Sequence, residues 1–99
     1  MPEGPLRYVI CYDLPDDRRR TRLARHLEGF GDRLQFSVFE TVLERAQFEA
    51  MVTGIESIID SEEDSVIVIP LCAACHERRL RLGEAAQNRD YGEEIVFIV

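Results

Sequence analysis

Tyr8-Val9-Ile10-Cys11-Tyr12-Asp13-Leu14-Pro15-Asp16-Asp17-Arg18-Arg19-Arg20 is the stretch that decides how the rest of this chain is read. A run of apolar, β-favouring residues ends in one carboxylate. A turn follows, then a helix that opens with two more carboxylates and three arginines. The near-continuous apolar run from Tyr8 to Tyr12 predicts a first strand in the interior of a sheet. A carboxylate at the end of such a strand sits on a rigid mount and suits a hard cation. The arginines beyond it suit phosphate, because a guanidinium fork matches two phosphate oxygens at once. Side by side, these features point to chemistry on, or docking of, a nucleic-acid backbone.

The 99 residues predict one domain, since domains commonly run to about 100–150 residues. A chain this short buries only roughly 60–70% of its unfolded surface, so pairing with a second copy would help it. No apolar run approaches the ~20 residues needed to cross a membrane. Residues 1–6 carry neither a basic region nor an apolar stretch of signal-peptide type and read as a loose lead into the first strand. With three cysteines and no export signal, the expectation is a cytoplasmic protein with free thiols.

The net charge of −7 argues at first against a polyanionic partner. Its distribution argues otherwise. Residues 1–39 carry a net +1 with seven arginines, residues 40–64 carry −7, and residues 65–99 carry −1. Every basic residue is arginine and none is lysine, which favours bidentate phosphate contacts over diffuse attraction. Any nucleic-acid contact is thereby confined to one face.

The remaining elements follow from periodicity and punctuation. A first helix is expected to start near Asp16, which caps it, and to stop at Gly29 or Gly31. Leu23, Leu27 and Phe30 share its apolar face with Ala24 beside them, while Arg18, Arg22 and Arg25 fall opposite. Arg20 projects nearer the apolar side, close to the strand end. Leu34, Phe36 and Val38 alternate with Gln35, Ser37 and Phe39 as one strand, and Thr41-Val42-Leu43 reads as a short third strand. A second helix covers roughly Arg45 to Ile59, striped by Phe48, Met51, Val52, Ile55, Ile58 and Ile59. Residues 61–65 read as a solvated acidic loop, and Val66–Ile69 as another central strand ended by Pro70. A short helical piece is expected over Cys72 to Leu82, and a last apolar strand over residues 94–99.

The order β-α-β-β-α-β predicts an α+β, ferredoxin-like fold with both helices on one face of the sheet. The last strand is surplus to that plan. An exposed apolar edge invites pairing, so it is expected to pair across a homodimer.

The chain resembles the small CRISPR-associated nuclease family, the Cas2 proteins that partner the integrase in spacer acquisition. The residues that carry the resemblance are Tyr8–Asp13, Asp16–Arg20, Gly31, Arg33, Gln35-Phe36-Ser37-Val38-Phe39-Glu40 and Val66–Leu71. The resemblance implies a ferredoxin-like homodimer in which Asp13 of each copy faces the other across a cleft. That carboxylate pair would hold Mg2+, or another divalent cation such as Mn2+, for phosphodiester hydrolysis of RNA or DNA. It implies that Arg20, Arg22 and Arg33 contact substrate phosphates and that Tyr12, Ser37 and Phe39 line the cleft. It also implies a Cas1 integrase partner.

Each of these residues has a plainer reading. Asp13 alone could cap the first helix, Asp16 and Asp17 suit a helix start, and an arginine row is commonly a solvated face. Ser37 and Phe39 are ordinary strand residues by pattern. Cys72-Ala73-Ala74-Cys75-His76 has the spacing of covalent haem attachment, and its Cys-x-x-Cys also suits zinc or redox chemistry. Haem attachment expects export, and a structural zinc wants four ligands where this motif offers three. The resemblance implies a structural pair, because members of that family commonly tolerate cysteines after the fourth strand; a dimeric site using both copies is the alternative. Two functions of different kind remain: a metal-dependent endonuclease with Asp13 as ligand, and a structural subunit that bridges integrase dimers and holds duplex DNA. A redox or metal module at Cys72 and Cys75 is the third.

Overall fold

Leu6–Asp13 extend as β1, the strand around which the sheet is assembled. The computed structural model describes residues 4–83, so the strand expected over residues 94–99 lies outside the described residues. After β1 come α1 (Asp17–Glu28), β2 (Gly31–Gln35), β3 (Val38–Leu43), α2 (Arg45–Ile58), β4 (Ser65–Leu71) and the short α3 (Ala73–Glu77). The sheet order is β2-β3-β1-β4 with every pairing antiparallel. This is the expected ferredoxin-like βαββαβ arrangement.

Register decides which side chains meet. Ile10 lies opposite Phe39 on β3 and Val68 on β4. Successive strand residues point to opposite faces, so Tyr8, Ile10 and Tyr12 share a face with Phe39, Thr41 and Leu43. That face receives Leu23, Ala24 and Leu27 of α1 and Met51 and Ile55 of α2, forming the core. Ile10, Leu23, Leu27, Phe39 and Met51 are fully buried, each worth about 1.5–3 kcal/mol relative to exposure. Tyr8 stacks on Phe48 of α2 at 4.6 Å between ring centroids.

Local chemistry fixes the helix ends. The Asp16 carboxylate accepts from the Arg19 backbone N–H at 2.9 Å, and α1 ends at Gly29 as expected. The Glu44 N–H donates to the Gln47 side chain at 2.9 Å at the start of α2. His26, which has no evident partner in the sequence, donates from Nε2 to the Met51 carbonyl at 2.9 Å and so ties α1 to α2. Gly54 makes this possible, because a Cβ there would strike the imidazole ring.

Three expectations are corrected. The segment around Phe36 is a hairpin turn at Phe36–Ser37, so Val38 and Phe39 belong to β3 and β2 begins at Gly31. Alternation of apolar residues continues through the turn, which carries no glycine or asparagine to mark it. β4 continues through Pro70 and is an edge strand among the described residues, where a missing N–H is tolerated. Asp64 in the acidic loop is not solvated. Its side chain is covered, and it accepts from Arg19 Nε at 2.7 Å and Nη2 at 3.0 Å.

The face opposite the helices carries Arg7, Val9, Cys11, Val38, Glu40, Val42, Ile67 and Ile69 by strand alternation. Glu40 is 7% exposed there. Arg7 Nη1 from β1 and Arg79 Nη1 from beyond α3 each donate to it at 2.7 Å, and His76 Nδ1 lies 3.1 Å away. Burial alone would raise this carboxyl, but the hydrogen bonds from Arg79 and Arg7 outweigh burial and hold it below the ordinary glutamate range. The segment after β4 is thereby fastened across part of the open face, while Val42, Ile67 and Ile69 stay exposed.

Candidate functional site

Asp13 closes β1 opposite Ser65 of β4, and it is exposed. The strand it ends is held on both sides by backbone pairing, so the carboxylate has a rigid base. Among the described residues no group of three or more His, Cys, Asp or Glu side chains is placed to hold a metal ion. One chain therefore offers a single strand-end carboxylate.

Tyr12, the preceding residue, faces the helices and is 6% exposed. Its N–H donates to the Ser37 carbonyl at 3.1 Å and its hydroxyl to the Phe36 carbonyl at 3.4 Å, which locks the hairpin turn against β1. Burial pushes the phenol up, against the pull of Arg33 and Arg20 nearby. Arg33 of β2 lies over aromatic rings, with Cζ 5.3 Å from the Phe39 centroid and 6.0 Å from that of Phe36. A guanidinium in this position is attracted by the negative faces of both rings.

Arg20 completes the group from α1. Its Nη1 donates to the Leu14 carbonyl at 2.6 Å and its Nη2 pairs with Asp17, so the side chain is anchored at the strand-to-helix corner. Tyr12, Arg20 and Arg33 line one cleft of about 280 Å³ between α1 and the β2–β3 hairpin. Thr21, Ala24, Arg25, Glu28 and Phe36 complete its walls.

The other expected site residues lie elsewhere. Arg22 faces a shallow groove with Asp17, Arg18 and Thr21 on another side of α1. Ser37 is not among the residues lining this cleft, and its backbone carbonyl accepts from the Tyr12 N–H. Phe39 is fully buried and supports Arg33 from below without lining the cleft. Sequence reasoning does not single out Arg25 and Phe36 as residues of this cleft. Positions 21, 25 and 28 form one stripe of α1 at helical spacing, a signal that the arginine row 18, 22 and 25 obscures. Arg19, one of the three consecutive arginines, is engaged by Asp64 and raised further in basicity by that hydrogen bond.

The cysteines behave as a separate feature. All three are free; Cys11 is half-buried and Cys72 and Cys75 are exposed. Cys72 sits at the start of α3, where the Cys75 N–H and then the Cys75 thiol draw its pKa down. The same hydrogen bond pushes Cys75 up. His76 is turned to Glu40.

The family model for the CRISPR associated protein Cas2 matches residues 6–79, most of the chain. The chain belongs to the Cas2 family. A CRISPR-associated endoribonuclease Cas2 of Rhodospirillum rubrum is 41% identical over 82 residues, covering 83% of this chain and 66% of that protein, so the chain spans just under two thirds of its length. The crystal structure of Streptococcus pyogenes Cas2 at pH 6.5 superposes with a TM-score of 0.73 at 26% identity, covering 79% of this chain and all of that one. A chain of a partial Cas6-RT-Cas1–Cas2 complex superposes with a TM-score of 0.67 at 28% identity, covering 75% and 81%. Family membership places this chain among the CRISPR-associated proteins, and its Cas2 sheet is the one described above. No helix among the described residues is long and apolar enough to cross a membrane.

Proposed function

We propose that this Cas2 chain is a cation-dependent endonuclease that hydrolyses phosphodiester bonds of RNA or DNA and serves spacer acquisition beside a Cas1 integrase in the cytoplasm. The observation that carries the reading is Asp13, an exposed carboxylate at the end of the central strand, with Arg20 anchored at the adjoining corner. Relatives named as endoribonucleases support it and favour RNA. The likeness to a chain from a Cas1–Cas2 complex supports the integrase partner.

The chemistry of the donor fits a hard cation, since Mg2+ is commonly held by one or two carboxylates with waters and substrate phosphates. Asp13 would hold it, and a second copy would supply the second carboxylate. When bound, the cation supplies Lewis-acid polarisation of a phosphate oxygen and a more acidic water. This chain's own contribution is positioning. Arg20 and Arg33 would grip phosphates, and Arg22 would extend that grip along α1. The exposed Val42, Ile67 and Ile69 on the open face give a second copy an apolar surface to cover.

A second reading is a non-catalytic subunit that bridges integrase dimers and holds duplex DNA; the likeness to the chain of a multi-protein complex favours it. The two readings part in one assay. Wild-type and Asp13→Ala protein are compared for cleavage of labelled RNA and duplex DNA, with Mg2+ and with chelator. Cation-dependent cleavage that the substitution abolishes supports the enzyme. Equal or no cleavage by both proteins contradicts it and leaves the bridging subunit.

A further inference from the structure

Phe36 sits at the tip of the β2–β3 hairpin and is 62% exposed. The turn's own hydrogen bonds do not require a phenylalanine there, and its ring meets the Arg33 guanidinium, with Cζ 6.0 Å from the centroid. Turn positions favour Gly, Asn, Asp or Ser, and the turn is held through the Phe36 and Ser37 backbone carbonyls, which any residue provides. The ring does not enter the core. It forms instead one wall of the cleft that also presents Arg20, Arg25 and Arg33, with Thr21 and Glu28 opposite. Arg33 fixes the arrangement from within, lying between the Phe36 and Phe39 rings.

The composition of that cleft selects its ligand. An exposed aromatic face offers stacking to a flat heterocycle, and guanidinium planes do the same while pairing with phosphate. Thr21 and Glu28 can exchange hydrogen bonds with a base edge. A volume of about 280 Å³ admits one small flat group and not a stacked duplex. Tyr12 lines this cleft while Asp13, the next residue, ends β1 on the opposite face, with Arg20 tied to the corner between them.

The geometry points to a nucleobase subsite: the cleft between α1 and the β2–β3 hairpin receives one unpaired base of a single-stranded nucleic acid, stacked on Phe36, with Arg25 at its mouth for the adjoining phosphate. This rests on the nucleic-acid reading above and adds the place and the residue that would receive a base. Phe36 is thereby a specificity-determining residue. Asp13 and Arg20 serve the backbone, and Phe36 reads that a base is free to leave its stack.

The chain contains no tryptophan, so Phe36→Trp supplies a fluorescence reporter at the proposed site. Its emission is titrated with single-stranded RNA and DNA oligonucleotides, with the matching duplexes, and with an abasic strand. In parallel, anisotropy of labelled oligonucleotides compares wild type, Phe36→Ala and Phe36→Tyr. The expected results are saturable quenching by base-bearing single strands alone, and a roughly 5- to 100-fold weaker single-strand affinity for Phe36→Ala. Phe36→Tyr should keep wild-type affinity, and duplex binding should be unchanged throughout. Binding by Phe36→Trp with no quenching, or Phe36→Ala equal to wild type in affinity, overturns the subsite and leaves the nucleic-acid reading standing. Equal weakening for duplex and single strand also overturns it. Failure of the wild type to bind any of these probes overturns both.

Discussion

Tyr12 and Asp13 are consecutive in the chain and stand on opposite faces of the sheet. The period of two along β1 turns Tyr12 toward the helices, where it is buried, and brings Asp13 out at the end of the strand. The carboxylate and the arginine-lined cleft are thus two features on either side of one strand end, joined by the corner that Arg20 ties to Leu14. A nucleic-acid strand that uses both must pass around this corner.

The Glu40 cluster predicts an acid-sensitive contribution to stability. Its folded carboxyl lies below the ordinary value of 4.5, because Arg79 and Arg7 outweigh burial. A group depressed on folding stabilises above its unfolded value, so the contribution is lost as pH falls below about 4.5. Glu40→Gln should cost about 1–3 kcal/mol at neutral pH and flatten the acid limb of the stability curve. Chemical denaturation across pH checks this; an unchanged acid limb would contradict it.

Gly31 lies opposite Thr41, and an added Cβ would meet the Glu40 carbonyl, with Thr41 Cγ2 at 2.6 Å and its Cα at 2.9 Å. Gly31→Ala should therefore destabilise by about 1–3 kcal/mol through overpacking against backbone. The midpoint of thermal unfolding measures it. A neutral outcome would mean that β2 can shift away from β3.

Much of this architecture is legible in the amino-acid sequence. The β1 run and the Asp16 cap each follow from one local rule; α1 also stops at Gly29, but with that residue right-handed at φ −74° and not in the left-handed conformation expected of a stop glycine. The hairpin at Phe36–Ser37 is not legible, since an apolar residue at a turn imitates strand alternation. Pro70 misleads for a related reason: it ends a central strand but not an edge strand, and edge position is a property of topology. For the candidate site, Asp13, Arg20 and Arg33 are singled out in the sequence, and the structure places Arg20 and Arg33 in one cleft and Asp13 at the end of β1. That Arg22 faces elsewhere and Phe39 is buried depends on helix phase and register, which a family likeness does not supply.

The Cys72–Cys75 pair predicts unequal thiol reactivity. Cys72 is lowered by the Cys75 N–H and thiol, and Cys75 is raised by the same contact. Alkylation at neutral pH followed by peptide mass analysis should label Cys72 several-fold faster. Faster labelling of Cys75 would contradict the geometry at the start of α3.

The most direct test of the account is cleavage by a mixed dimer of one wild-type and one Asp13→Ala chain, purified through two different tags. If the two copies share one cation between their Asp13 carboxylates, the mixed dimer will be as inactive as the dimer substituted in both chains, while the wild-type dimer cleaves. Half of the wild-type rate in the mixed dimer would place a complete and independent site in each chain, and would contradict the shared site.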